Sequence, residues 1–166
     1  MTTAAPTTQV YQLYIKATPE RIWDAITSPE MHAKFFFGAQ IESTYEPGTP
    51  IRSWSPDHSE MWGDNVIVES DPPRKLVHTW RSLYDEELAN EGESRVSWEI
   101  EPFTEGYCKL TVVHDRLDKA PKTAASVSGG WMFILSGLKT LVETGEALGM
   151  RPASMAARNG TEGGGA

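Results

Sequence analysis

The stretch GGWMFILSGLKTLVETGEALG, residues 129 to 149, restricts the fold more than any other part of the chain. Placed on a helix at about 100° per residue, Val127, Trp131, Ile134, Leu135, Leu138, Leu141 and Val142 gather within an arc of about 120°. Ser136, Lys139, Thr140 and Glu143 fall on the opposite side, and Gly149, with Pro152 just beyond it, reads as the stop. Such a helix of about 20 residues is about 30 Å long. A stripe of that width needs a broad apolar cover, and the remainder of the chain reads as one.

VYQLYIK, residues 10 to 16, alternates as a strand with Tyr11, Leu13 and Ile15 on one face. Thr18 caps a helix begun by Pro19, whose inner side carries Ile22, Ala25 and Ile26; Ser28-Pro29 ends it and starts a second short helix, PEMHAKFF. Strand signals follow at 39–48, 50–57, in WGDNVIVESDPP and RKLVHTWRS, and then in SRVSWEIEP and YCKLTVVHD, with Pro-Gly, Pro-Asp and Thr-Glu-Gly turns between several of them. LYDEELANEGE, 83–93, reads as an acidic solvated connection. The pattern predicts an α+β fold: a curved antiparallel sheet of about six or seven strands around a long C-terminal helix, with two short helices after the first strand. Residues 9–149 form one domain in this reading, preceded by a disordered lead-in over 1–8 and followed by a disordered tail over 150–166.

Composition narrows the function classes. Fifteen Lys and Arg against 23 Asp and Glu give a net charge of −8, which argues against binding nucleic acid or anionic membranes. No DNA or RNA binding is therefore expected at physiological salt; micromolar affinity with a steep salt slope in an anisotropy titration would contradict this. The one cysteine, Cys108, has no internal partner, and MTTAAPTTQ lacks the features of a signal peptide, so a cytoplasmic setting is expected. No run of about 18 apolar residues is present, which argues against membrane insertion. The four histidines, His32, His58, His78 and His114, show no metal-ligand spacing, so neither a metal nor another cofactor is expected. Cys108 falls on the inward parity of its strand and reads as an inert thiol.

The stretches ATPERIWDAITSPE, GDNVIVESDPPRKLVHTW, SRVSWEIEP and GGWMFILSGLKTLVETG, in that order, resemble the START-like (SRPBCC) superfamily and its helix-grip fold. The nearest likeness is to the branch named after the C-terminal domain of the activator of the Hsp90 ATPase. The resemblance covers roughly residues 8 to 148 and implies a cavity between the long helix and the sheet, used in the superfamily for apolar ligands. No catalytic residues are shared across the superfamily, so it implies none here. The namesake activators pair this domain with a separate N-terminal one that carries much of the chaperone contact; only nine residues precede Val10, which counts against a chaperone partner.

By strand parity His78, Trp80, Trp98 and His114 face the interior that Trp131 and Leu135 enter from the long helix, with Phe35 and Phe36 at the mouth. Large aromatic surfaces with a few polar tips are the usual lining of a small-molecule site. The expected ligand is a small hydrophobic or aromatic molecule, held in some hundreds of Å3 with the histidines as polar anchors. Two alternatives stay open: a cyclase-, aromatase- or hydrolase-like enzyme using His78 or His114 as the proton carrier, and a co-chaperone or stress-response interaction module. Phe133, about 240° round the wheel from Val127, lies off the core stripe, and with Phe35, Phe36 and Phe37 suits a homodimer contact or a pocket mouth. Gly129, Gly130 and Gly137 read as small residues that let the helix approach the sheet.

Overall fold

A computed structural model describes residues 6–149. Seven strands, β1 (Gln9–Ile15), β2 (Gln40–Ser43), β3 (Pro50–Trp54), β4 (Met61–Asp71), β5 (Lys75–Trp80), β6 (Ser94–Thr104) and β7 (Tyr107–Asp115), form one antiparallel sheet in the order β1-β7-β6-β5-β4-β3-β2. From β2 onward each strand pairs with the next, and β1 adds to the far edge beside β7. Helices α1 (Pro19–Thr27) and α2 (Pro29–Phe35) carry the chain from that edge to the other. Ser28 serves both: its N–H donates to the Asp24 carbonyl at 2.7 Å and its hydroxyl accepts from the Met31 N–H at 3.5 Å. A single residue thus closes one helix and opens the next, which sets a tight corner over the sheet.

The long helix α4 (Pro121–Thr144) lies against the inner face, its buried side formed by Trp131, Ile134, Leu135, Leu138, Leu141 and Val142. This is the α+β helix-grip architecture. The helix begins earlier than its apolar stripe suggests and stops at Gly145, not Gly149. Gly145 takes φ 81° and donates to the Leu141 carbonyl at 2.8 Å, so the first glycine able to adopt the left-handed cap ends the helix. Leu138 is fully buried. Leu138→Ala is expected to lower stability by about 2–5 kcal/mol, read as a shift in the urea midpoint; an unchanged midpoint would detach α4 from the core.

The start of α4 also corrects the reading of 83–93. That segment contains a short helix, α3 (Glu86–Ala89), capped by the Asp85 carboxylate, with Leu88 buried beneath it. The Glu91 carboxylate then reaches α4 and accepts from the Lys122 and Thr123 N–H groups at 2.9 and 2.7 Å and from the Thr123 hydroxyl at 2.8 Å. Partial burial opposes its ionisation, but these hydrogen bonds outweigh it and hold the carboxyl below the usual range. Ala120 has no polar side chain to cap α4, so a carboxylate from the neighbouring connection does so at the positive end of the helix dipole.

Two of the glycines of α4, Gly130 and Gly137, also differ from their expected role. Gly137 backs onto α2, where an added Cβ would sit 3.4 Å from the Phe35 Cβ, and one at Gly130 would meet nothing within 4 Å. By length and composition α4 could cross a membrane; its burial against the sheet accounts for that apolar character. Of the expected disordered ends, 150–166 and 1–5 lie outside the described residues, while the Thr7 carbonyl accepts from the Leu117 N–H at 3.2 Å.

Candidate functional site

Strand parity brings His78, Trp98 and His114 to the inner face, where α4 delivers Trp131 among them. Trp131 is the hub: its ring lies 5.4 Å from Trp98, 5.8 Å from Trp80, 6.0 Å from His114 and 6.2 Å from Phe36. An indole N–H can only donate, and this fixes the state of each imidazole it meets. Trp131 Nε1–H donates to His114 Nδ1 at 3.1 Å, so the His114 proton sits on Nε2, 2.8 Å from the Ser94 hydroxyl, which in turn donates to the Trp80 carbonyl at 3.1 Å. Trp98 Nε1–H donates to His78 Nε2 at 3.1 Å, and His78 Nδ1–H donates to the Thr79 carbonyl at 2.9 Å.

Both expected anchors thus have both ring nitrogens engaged by the protein. Burial pushes His78 down to about 4; burial, and then the nearby His78, push His114 down to about 3. Neutral and fully bonded, neither has a free lone pair or proton to give a substrate near pH 7. The need of a buried imidazole for a partner is met by tryptophan, a residue counted in the sequence only as aromatic surface.

The cavity itself lies between α1–α2 and the β2–β6 part of the sheet, and touches this network at the His78–Trp98 pair. Its volume is about 50 Å3, and Phe36, His78, Trp80 and Trp98 line it together with Ile26, His32, Ile41, Tyr45, Ile51, Ser53, Asn65 and Leu76. This is far below the expected hundreds of Å3, because the aromatic side chains fill the space below α4. His114, Trp131 and Leu135 pack in the core and do not line it, and Phe35 is buried under Gly137, away from any mouth. Phe133 stacks on Phe37 at 5.6 Å and 8°, so its partner is within the chain.

Of the polar lining residues that parity did not single out, which also include Ser53 and Asn65, His32 and Tyr45 matter most here. His32 lies on the buried face of α2, stacked on Phe36 at 4.7 Å, and its Nδ1–H donates to the Ile26 carbonyl at 3.1 Å, which leaves Nε2 as an acceptor. Burial pushes it down to about 4, so it is neutral. Its spacing from Phe35 and Phe36 on one helical face was the available signal. Tyr45, on the β2–β3 connection, has a buried hydroxyl with no partner among the described residues, and burial pushes its ionisation upward. Nothing in the sequence around Tyr45 marks it as inward.

Among the described residues no Asp, Glu, Lys or Arg lines the cavity. Among the described residues no group of three or more His, Cys, Asp or Glu is placed to hold a metal. Cys108 is buried with its thiol donating to the Ala17 carbonyl at 3.2 Å, and burial raises its pKa, so the thiolate is suppressed. Beside the cavity a surface groove of about 500 Å3 runs between the α1–α2 corner and the turns at 43–47 and 70–72.

No curated protein matches the chain. Solved structures share its fold. The Aha1 dimer of Colwellia psychrerythraea is 18% identical with a TM-score of 0.67, over 84% of this chain and 98% of that one. An HSP90 activator of Plasmodium falciparum is 17% identical at TM-score 0.67, over 82% and 96%. DynU16, a protein of the dynemicin biosynthetic locus, is 19% identical at TM-score 0.67, over 86% of this chain and 49% of its own. The family described as Activator of Hsp90 ATPase homolog 1-like protein matches residues 16–143. With that match spanning most of an α+β helix-grip domain, the chain belongs to this family of the START-like superfamily.

Proposed function

We propose that the chain binds a small, neutral, largely apolar or aromatic molecule in the cavity between α1–α2 and the sheet, and carries it without altering it. The observation that supports this reading is the Tyr45 hydroxyl, buried without a protein partner in a wall otherwise free of charge. A buried polar group left unbonded costs about 1–3 kcal/mol, a cost that a ligand can relieve. Phe36, His78, Trp80 and Trp98 supply wall surface; Phe35, His114, Trp131 and Leu135 hold those walls in place. The charge-free lining favours neutral ligands, because an isolated ion would lose its hydration without compensation. Binding is favoured over acid–base chemistry because His78 and His114 are bonded at both nitrogens.

A titration with benzamide and benzoate, followed by NMR of the tryptophan indole signals, tests this. Benzamide is expected to shift Trp80 and Trp98 saturably, with benzoate at least about tenfold weaker. His32→Phe, which keeps the ring but removes the acceptor, should weaken benzamide by about threefold to tenfold. Equal affinity for the anion, or shifts confined to residues outside the cavity, would refute the reading.

A further inference from the structure

Among the described residues, Tyr45 alone lines both the inner cavity and the surface groove. With Tyr45 in place the cavity offers about 50 Å3, whereas a cavity of about 150 Å3 is the size known to hold benzene. A ring can therefore enter only if part of the wall leaves; Phe36, Tyr45, Ser53 and Trp80 are its partly exposed residues, and of these Tyr45 borders the groove. Three features make it the piece that moves. Its backbone has φ 60°, a left-handed conformation that a bulky L-residue adopts only under constraint. Its hydroxyl has no protein partner, so no hydrogen bond holds the tip inside. The groove beside it, about 500 Å3 and walled by Trp23, Pro29, Pro47 and Pro72, has room for its side chain.

We propose that Tyr45 is a displaceable plug whose own shape specifies the ligand: a neutral single-ring phenol or a similar ring alcohol that takes its place. The inference rests on the cavity reading above. As Tyr45 swings into the groove, the incoming ring fills the volume that the tyrosine ring vacates, beside Phe36 and Trp98. Its hydroxyl then donates to His32 Nε2, while Ser53 and Asn65 supply further polar contacts at the same wall. The ligand thereby makes the hydrogen bond that the Tyr45 hydroxyl does not.

Phenol dissociation constants for the wild type, Tyr45→Ala and Tyr45→Phe test the plug, with the chemical shifts of Trp98 and His32 locating the bound ring. Tyr45→Ala needs no displacement and is expected to bind phenol at least tenfold more tightly than the wild type. Tyr45→Phe keeps the plug and removes the unpartnered hydroxyl, so it should seat more firmly and bind phenol severalfold more weakly. Circular dichroism shows which variants fold; if Tyr45→Ala does not, the order of wild type over Tyr45→Phe still decides. Equal affinities, with shifts inside the cavity, would overturn the plug and leave the cavity reading standing. No shifts at Trp98 or His32 in any folded form would overturn both.

Discussion

Trp131→Ala is expected to lower stability by about 4–5 kcal/mol, near the upper end for large-to-small core changes. The residue is 1% exposed and its ring meets Tyr11, Phe36, Trp80, Trp98 and His114. Removing it leaves a cavity that five surrounding rings cannot easily close, and it also strips the donor from His114 Nδ1. Trp131→Phe separates the two effects, because it keeps most of the volume and deletes only the indole N–H and part of the ring. It should cost about 1–3 kcal/mol and make His114 easier to protonate. Urea denaturation of both variants at pH 7 checks this. A Trp131→Ala midpoint within error of the wild type would mean that α4 does not carry the core.

Stability is expected to fall steeply as the pH drops from 6.5 towards 4. Burial lowers His32 and His78 to about 4 and His114 to about 3, from an ordinary value of 6.5. Between those values the unfolded chain binds protons that the folded one refuses, so the stability these neutral rings contribute is fully present above 6.5 and lost on the way down. Each histidine withdraws about 1.4 kcal/mol per pH unit within its window, so the three together approach about 4 kcal/mol per unit near pH 5. That is large against a typical total of about 5–15 kcal/mol, and acid destabilisation should set in well above pH 4. Denaturant midpoints at pH 7, 6 and 5 measure the slope. His32→Phe should remove one proton from it while keeping the aromatic stack; a flat profile between 6.5 and 5 would show that the rings titrate normally.

Both expectations rest on one physical arrangement, the two indole–imidazole pairs at the centre of the aromatic core. Indole N–H to imidazole nitrogen is a neutral hydrogen bond that needs no water and no charge, so it can sit in the middle of a core without the desolvation cost of an ion pair. It also makes the protonation state of each histidine part of the packing. A proton added to His114 Nδ1 or His78 Nε2 would face an indole N–H head-on, so acid is expected to act on the fold as a whole.

What the sequence determined by itself is what repeats with the period of the backbone. The alternation of Cys108, Leu110, Val112 and His114, and of Val96, Trp98 and Ile100, is set by the two-residue repeat of a strand, and all seven are buried. The stripe from Trp131 to Val142 likewise follows the turn of a helix, and the caps at Thr18 and Ser28 follow from local hydrogen-bonding chemistry. Periodicity says which side of an element is inward; it does not say which inward side chains meet. Only the tertiary structure paired Trp131 with His114 and Trp98 with His78, used up the nitrogens that the sequence offered as anchors, and set Glu91 on the end of α4. It also placed His32 and Tyr45, from a helix and a turn on different sides of the chain, at one small cavity. Those contacts join residues far apart in sequence, and their distances depend on how the helices sit over the curved sheet, a quantity that no local pattern encodes.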